Sequence, residues 1–579
     1  MKKTLNYILT LMLVLIAVSC EKGFMKNETF EPLTPELSFD GENSIVIDKT
    51  GGEFSFSFKS NLPWIIENTV DWIHVEGKDR GPGSEEPINI KCIVEINKSL
   101  TPRSTTIKVR IDDEHQEMMK ITQLPMNIED LGNDIYVKVD GTGDGSSWAK
   151  ATTLSQALLD AMDGTIIHVA AGTYKPENLV RNISDDKAAN KTFELMVNAT
   201  IIGGYPADAS DGAVADPALN KVILTGSGTQ YRVLVVSAIR DKNFTATVDG
   251  VTITEGAGAG SPQLEINGAR IRAGYGAGIS VAGSNFILRN SYIISNKGVC
   301  GPAMYNSDGA NTLIDNCIVS DNKSTKNGAN IWSSYATLTI KNSQLLNNGT
   351  SGGVGGAVYI YGDSKNSSYP NQFYCYNTLF QGNYTDASRD SRRGAGVYAR
   401  EGSTSVIANC TFTGNVGGDG GAIALYGTAD RPSNMSIINC TITKNESKFE
   451  GSVVHYDNTT LKIYNSIISG NTAQAKPDVK SVNGNVTETF CYSICGSDVY
   501  GKQSQVTGGC FNAETMFAPM ANNVFRLIGD NNPAKTMGMP VNELISIMTG
   551  LEPEVDYSLL AKDQNGVERT GTVIGASVE

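Results

Sequence analysis

Short runs in which hydrophobic and polar residues alternate cover most of the chain after about residue 36. Successive side chains of a β-strand point to opposite faces, so this period of two predicts strands with one buried face. The first such runs include residues 53–58 and 106–111, and Gly-Gly, Gly-Pro-Gly and Pro separate the runs of this region. They predict a small antiparallel, immunoglobulin-like β-sandwich over residues 37–125.

Two tryptophans stand out within this predicted sandwich. The segments around Trp64 and Trp72, together with Asn97, Arg103 and residues 121–123, resemble BACON domains. This family is common in surface and secreted proteins of Bacteroidetes, and its name implies association with carbohydrate. Because both tryptophans lie among apolar neighbours, the pattern favours core residues of a spacer domain, and sugar binding by this domain is the alternative.

A second alternating region is built from a repeat. The unit Asn-x5-Asn recurs seven times at spacings of 26 to 35 residues, and glycine-rich motifs such as Gly355-Gly-Ala-Val and Gly420-Gly-Ala-Ile lie between copies. A coil of about three short strands buries its apolar face only by stacking on its neighbours. The sequence therefore predicts an all-β fold dominated by a right-handed parallel β-helix over residues 135–490. The copies are 290–296, 316–322, 342–348, 377–383, 409–415, 439–445 and 465–471.

The columns of this repeat have physical explanations. Asparagine tolerates left-handed turn geometry, and stacked amides can hydrogen-bond along the axis. The column after the first Asn holds only Ser, Thr and Cys, which predicts tight packing and unpaired thiols at positions 317, 410 and 440. A Cys410–Cys440 bridge and a local Cys491–Cys495 bridge stay open as alternatives.

The repeat carries a resemblance of its own. Its glycine-rich and Phe/Ile-x-x-Asn motifs resemble those of polymorphic outer-membrane proteins, and the whole stretch is similar to the pectate-lyase-like β-helix superfamily. Residues 135–148, a predicted amphipathic helix near 153–162 and residues 166–174 resemble the start of surface β-helix proteins of Bacteroidetes, which implies an N-terminal cap. Residues 532–535 and 561–576 resemble their closing segment, which implies a C-terminal cap over residues 491–579. The resemblance implies the fold but leaves the activity open.

One outward column of the predicted β-helix is rich in aromatic residues. If the hydrophobic residue of each glycine motif points inward, the following residue points outward, and rungs stack about 4.8 Å apart. Exposed aromatic rings with polar tips suit sugar rings. We therefore expect a glycan or other surface ligand to lie along this face, although mutual stacking or cover by a loop would also explain the rings. The candidate binding residues are Tyr305, Trp332, Tyr359, Tyr361, Tyr398, Arg400, Tyr426 and His455.

Two other functions stay open on the same face, a polysaccharide lyase or glycoside hydrolase and a non-catalytic, protein-binding adhesin. Insertions at 362–370 and 386–393 could wall a groove. Acidic residues do not stack on adjacent rungs, so the sequence predicts no metal site and no cofactor. Calcium would be needed only if the protein were a lyase. Loop carboxylates could still form a paired site. The charged candidates are Arg389, Asp390, Arg392, Arg393, Arg400, Glu401, Asp419, Asp430 and Asp457.

The N-terminus predicts export. Two lysines precede an apolar run at residues 8–18, which is too short to span a bilayer, and small residues lead into Cys20. This resembles a bacterial lipobox, which implies a signal peptide over residues 1–20, a lipid on Cys20 and a tether at 21–36. We expect an outer-membrane, cell-surface monomer that is held to the membrane by lipid alone.

Composition narrows the possible partners. The formal net charge of −14 argues against nucleic acid, which requires clustered Lys and Arg. Sixty glycines among 579 residues are not spaced every third position, so collagen is excluded. Their excess is instead expected in the tight turns of the repeat.

Overall fold

The computed structural model describes residues 33–97, 99, 101–125, 134–237, 245–326, 328–362, 368–386, 388, 393–482, 484–551 and 557–578. The predicted signal peptide, Cys20 and most of the predicted tether lie outside these residues. Within the described ranges, no helix is long and apolar enough to cross a membrane.

The N-terminal region forms two β-sheets around a small core. The core contains Phe58, Trp64 and Trp72, and both tryptophans are buried. Trp64 donates a hydrogen bond to the carbonyl of Pro82 at 2.9 Å, and the Arg103 guanidinium lies 4.3 Å from the Trp72 ring. In spatial order the sheets are Leu37–Phe39, Gly52–Ser60, Ser84–Val94 and Ile73–Glu76, and Ser44–Ile47, Gln116–Gln123, Arg103–Arg110, Trp64–Glu67 and Arg80–Gly81.

Three long sheets, here called sheets 1, 2 and 3, form the parallel β-helix and confirm the predicted fold. Their inward side chains make one continuous hydrophobic core. Sheet 1 contains Ile135–Val137, Ile166–Ala170, Thr200–Tyr205, Ala246–Asp249, Asn285–Arg289, Asn311–Asp315, Thr337–Lys341, Gln372–Tyr376, Thr404–Ala408, Ser433–Ile438, Thr459–Tyr464 and Val486–Cys491. Sheet 2 contains Gly172–Tyr174, Val222–Thr225, Val251–Thr254, Tyr292–Ile294, Ile318–Ser320, Gln344–Leu346, Leu379–Gln381, Thr411–Thr413, Thr441–Thr443, Ile467–Ile468, Ser493–Cys495, Asp498–Tyr500 and Val506–Gly509.

Sheet 3 carries the predicted aromatic face. Its ten strands are Phe193–Leu195, Leu234–Val236, Ile279–Ala282, Met304–Ser307, Ile331–Ser334, Val358–Tyr361, Val397–Arg400, Ile423–Tyr426, Val453–Tyr456 and Val479–Val482. The smaller strands are the hairpin Leu264–Ile266 with Ala269–Ile271, the hairpin Phe517–Pro519 with Phe525–Leu527, and the short parallel pairings of Lys297–Gly298, Lys323–Ser324, Gly349–Thr350, Val416–Gly417 and Glu446–Ser447.

The turns between sheets explain both the asparagine columns and the glycine content. The first Asn of each copy has a φ between 46° and 53°, in the left-handed region. The first glycine of the glycine-rich motif is also in the left-handed region, with φ of 66° at Gly394 and 62° at Gly420. A Cβ at either glycine would lie 2.4 Å from a backbone carbonyl oxygen, so only glycine fits there.

The second Asn of each copy forms a buried ladder. Each side-chain amide from Asn296 to Asn445 donates to the amide oxygen of the next rung at 2.8–3.1 Å, ending at Asn471. The same oxygen accepts the backbone N–H of the preceding Asn, as Asn383 does from Asn348 at 3.0 Å. The ladder thus satisfies backbone and side-chain groups in a turn that water does not reach.

The cysteine columns contain no bridge. Cys317, Cys410, Cys440, Cys491 and Cys495 are unpaired thiols. Burial raises the pKa of the Cys410 and Cys440 thiols well above the usual range, so they are small packing residues and not nucleophiles.

The segments that flank the coil pack against it in different places. Helix Leu154–Asp160 buries Leu154, Ala157 and Leu158 against the first rungs. The C-terminal segment contains helices Ala513–Met516 and Val541–Leu551 and packs along the outer side of sheets 1 and 2. There the backbone of Met539 exchanges two hydrogen bonds of 2.9 Å with the Asn465 side chain.

The N-terminal sheets contact the capped end of the β-helix directly. The Asp71 carboxylate accepts hydrogen bonds from the Asn182 side chain at 2.5 Å and from the Asn267 backbone N–H. Glu95 pairs with Arg181 at 2.8 Å. The region predicted to be a spacer is therefore docked on the coil.

Asn383→Ala should destabilise the protein, because it leaves the N–H and side-chain amide of Asn348 without their acceptor. We expect a loss of about 1–3 kcal/mol in the free energy of unfolding, measured by urea denaturation. Asn434→Ala is the control: Asn434 is exposed on a strand of sheet 1, and its loss should cost under about 0.5 kcal/mol. Equal effects of the two substitutions would contradict the structural role of the ladder.

Candidate ligand-binding site

The aromatic column lies on sheet 3 in the predicted register. Tyr305, Trp332, Tyr359 and Tyr398 are direct neighbours on four successive strands. The preceding residues, such as Val358 and Val397, belong to the core of the coil, whereas the aromatic rings belong to a separate cluster outside it. The rings therefore leave the core of the coil as the alternation predicts.

The expectation that these four rings face water is wrong. Tyr305, Trp332, Tyr359 and Tyr398 are only 2–5% exposed. The hairpin of strands Leu264–Ile266 and Ala269–Ile271 contributes its apolar side chains to the same cluster. The rings also cover one another, and burial raises the pKa of the Tyr305 and Tyr359 hydroxyls. The column is thus a second, external core.

Ring contacts connect this external core from rung to rung. The centroids of Trp332 and Tyr359 lie 4.7 Å apart at 79°, and those of Tyr359 and Tyr398 lie 5.2 Å apart at 15°. Tyr361 stacks on Tyr359 at 5.4 Å. Such pairs stabilise packing beyond the area they bury, by about 0.5–1.5 kcal/mol each.

The second outward column is only partly covered. Tyr361, Arg400 and Tyr426 are half-buried neighbours in register. The Arg400 guanidinium lies 5.2 Å from the Tyr361 ring and 5.1 Å from the Tyr426 ring, and it forms an ion pair with Glu401. It also donates to the Tyr359 hydroxyl at 3.5 Å. Arg400 therefore holds the two columns together.

His455 does not belong to the outward column, and this prediction is wrong. Val453, not Val454, pairs with Ile423, so the strand is shifted by one residue from the predicted alignment. His455 consequently points inward and is fully buried, with its Nδ1 3.1 Å from the Thr459 hydroxyl and its Nε2 against Glu488. A one-residue shift exchanges the two faces of a strand.

The corrected register reveals residues that the sequence reasoning did not place together. Tyr456 takes an outward position on the strand next to Tyr426. Its hydroxyl donates to Asp419 Oδ2, while Asp419 Oδ1 accepts the backbone N–H of Glu450 at 3.1 Å. The Arg393 guanidinium lies 3.9 Å from the Tyr456 ring centroid. Burial, with Asp419 alongside, raises the pKa of the Tyr456 hydroxyl, so this group remains a proton donor.

These residues line a cleft of about 510 Å³, here called the sheet 3 cleft. It combines aromatic surfaces, carboxylates, one guanidinium and one side-chain amide, and its rim residues Phe449, Asp457 and Gln474 are half-buried or exposed. Correct placement of the Gly-Ser-Val turn at 451–453 would have put Tyr456 in the outward column from the sequence. Its lining residues are Arg393, Asp419, Tyr426, Phe449, Glu450, Tyr456, Asp457, Gln474, Ala475 and Val482.

The other charged candidates from the sequence are not among the described residues that line the sheet 3 cleft. Arg389, Asp390 and Arg392 lie outside the described residues. Glu401 lies between Arg400 and Arg431, whose Nη1 is 3.7 Å from Glu401 Oε2. Within the described ranges, no three His, Cys, Asp or Glu side chains are grouped so that they could hold a metal ion.

Comparisons with known proteins match part of the N-terminal region to a family and show distant similarities to solved structures. Residues 62–124 match the BACON family, whose description is a putative binding domain, N-terminal. No curated protein matches the chain. Among solved structures, the chain is similar to pectate lyase Pel9A, with 14% identity, 76% of this chain and 97% of that chain covered, and a TM-score of 0.45.

Two further solved structures are similar over most of their length. The family 28 exopolygalacturonase of Yersinia enterocolitica shows 11% identity and a TM-score of 0.20, with 79% of this chain and 99% of that chain covered. The GH87 alpha-1,3-glucanase of Streptomyces thermodiastaticus strain HF3-3 shows 10% identity and a TM-score of 0.27, with 75% and 88% covered. The β-helix of this chain is established by its own strand pairing, and these distant similarities assign it no activity.

Because Tyr359 is buried between Trp332 and Tyr398, Tyr359→Ala should destabilise the fold. The expected loss is about 3–5 kcal/mol in the free energy of unfolding, measured by chemical denaturation. Tyr398→Phe keeps the ring and should cost less than about 1.5 kcal/mol. Unchanged stability of Tyr359→Ala would show that the ring is exposed and return it to the list of ligand-binding residues.

Proposed function

We propose that the protein is a lipid-anchored cell-surface protein that binds a polysaccharide in the sheet 3 cleft. The observation that carries this proposal is the combination of aromatic surfaces with hydrogen-bonding groups in one open cleft on the side of a rigid coil. Its volume of about 510 Å³ falls within the range typical of ligand sites, about 300–1,000 Å³. Lipid attachment at Cys20 and surface exposure rest on the N-terminal sequence.

The chemistry of the cleft suits a sugar ring. Half-buried Tyr426 and Phe449 supply flat faces for C–H groups, while Glu450, Asp457 and Gln474 supply acceptors and donors for hydroxyls. The face remains the one the sequence indicated, but the site lies toward the C-terminal end of the buried column. Of the predicted binding residues, Tyr426 lines the cleft.

The Asp419 carboxylate is not free to act as a general acid or base. A general acid or base must exchange its proton with a substrate atom. The buried carboxylate of Asp419 already accepts from the Tyr456 hydroxyl and the Glu450 backbone N–H, so it shapes the wall of the cleft. The partly exposed Glu450 and Asp457 carboxylates are then available as hydrogen-bond acceptors.

A polysaccharide that the protein retains should bind about 5- to 10-fold more weakly to Phe449→Ala, because a sugar face would lose its stacking partner. The measurement is a screen of immobilised polysaccharides followed by calorimetric titration with the best ligand. Tyr369→Ala is the control, since Tyr369 is an aromatic residue that is 46% exposed and lies outside the cleft. Failure to retain any polysaccharide, or equal affinity of Phe449→Ala and wild type, would contradict the proposal.

A further inference from the structure

The charges of the sheet 3 cleft are unevenly matched. Three carboxylates and one guanidinium line it. The guanidinium of Arg393 is already placed against the Tyr456 ring, and its backbone pairs with that of Asp419, so these two charges are neighbours. Lys480, just outside the lining, has its Nζ 3.9 Å from Glu450 Oε2.

Asp457 is the third carboxylate of the cleft, and it has neither Arg393 nor Lys480 as a neighbour of opposite charge. Within the described part of the chain, no cation and no hydrogen-bond donor contacts its side chain, which packs beside Gly484. The residue is half-buried at the rim and faces the same cleft as Phe449 and Gln474. An unpaired carboxylate in a partly desolvated cleft repels a second negative charge and attracts hydroxyl donors.

We infer that the sheet 3 cleft selects neutral polysaccharides and disfavours uronic-acid or sulfated polymers. This inference rests on the proposed function. An anionic sugar would meet Asp457 without gaining a cation, since Arg393 and Lys480 already have acidic neighbours. Neutral sugar hydroxyls instead donate to Asp457 and Glu450 while their ring faces lie on Phe449 and Tyr426. The net charge of −14 adds repulsion at low ionic strength.

The test compares wild type with Asp457→Asn, which keeps the shape and one acceptor oxygen but removes the charge. The probes are a mixed-linkage β-glucan, a mannan and a neutral xylan on one side, and polygalacturonate and heparin on the other, at low and high salt. We expect wild type to bind at least one neutral polymer, with little dependence on salt, and to bind both polyanions more weakly than that polymer at low salt. Asp457→Asn should weaken neutral binding, because hydroxyl donors lose a charged acceptor, and should raise polygalacturonate affinity about 5- to 10-fold at low salt.

Asp530→Asn is the matched control, because it removes one exposed carboxylate from the C-terminal segment and gives the same net charge. It should leave both affinities unchanged. Tighter binding of a polyanion than of every neutral polymer by wild type would overturn the inference and leave the proposed function standing. Binding of no polymer of either kind would overturn the proposed function and, with it, this inference.

Discussion

The structure depends on the vertical alignment of its rungs, and the buried asparagine ladder enforces that alignment. An amide that donates to the next rung and accepts from the one before satisfies its own polar groups only when the strands are in register. A slip of one residue would bury unpaired amides and turn apolar side chains outward, so each rung carries a large penalty for misalignment. The ladder continues across the longest repeats, from Asn348 to Asn383 and from Asn383 to Asn415.

The same alignment produces the outer aromatic cluster and the cleft beside it. Because strands are about 4.8 Å apart, side chains at one register position on successive rungs must touch. On four rungs these side chains are aromatic and pack on one another in a cluster that also contains the apolar side chains of the hairpin. The aromatic column ends at the next two residues in register, Ala424 and Val454, which are both fully buried. There Tyr456, Asp419 and Arg393 brace the wall of an open space.

Much of the fold could be predicted from the sequence, because the strands and turns follow from the local periodicity of the repeat. The seven Asn-x5-Asn copies determine the sheets, the left-handed turns and the direction of Tyr305 to Tyr398. Exposure could not be predicted in the same way, because it depends on how the rings stack on one another and on Tyr275, whose ring packs against Tyr305 and Trp332. The predicted position of His455 is wrong for a different reason. Gly-Ser-Val replaces Gly-Ala-Ile before it, and the sequence alignment of this rung with the preceding one is therefore shifted by one residue. Tyr456, Asp419 and Arg393 come from different rungs and meet only in three dimensions.

The N-terminal sheets dock on the capped end of the coil, so the molecule has two candidate ligand-binding surfaces at different places. Trp72 lies under Arg103 near the contact with the coil, whereas the sheet 3 cleft opens on the side of the coil. The most direct measurement is a crystal structure of the protein with a bound neutral oligosaccharide taken from the preferred polymer. The account predicts a sugar ring against Phe449 and Tyr426 with hydroxyls directed at Asp457. A ligand seated instead beside Trp72, with the sheet 3 cleft empty, would contradict it.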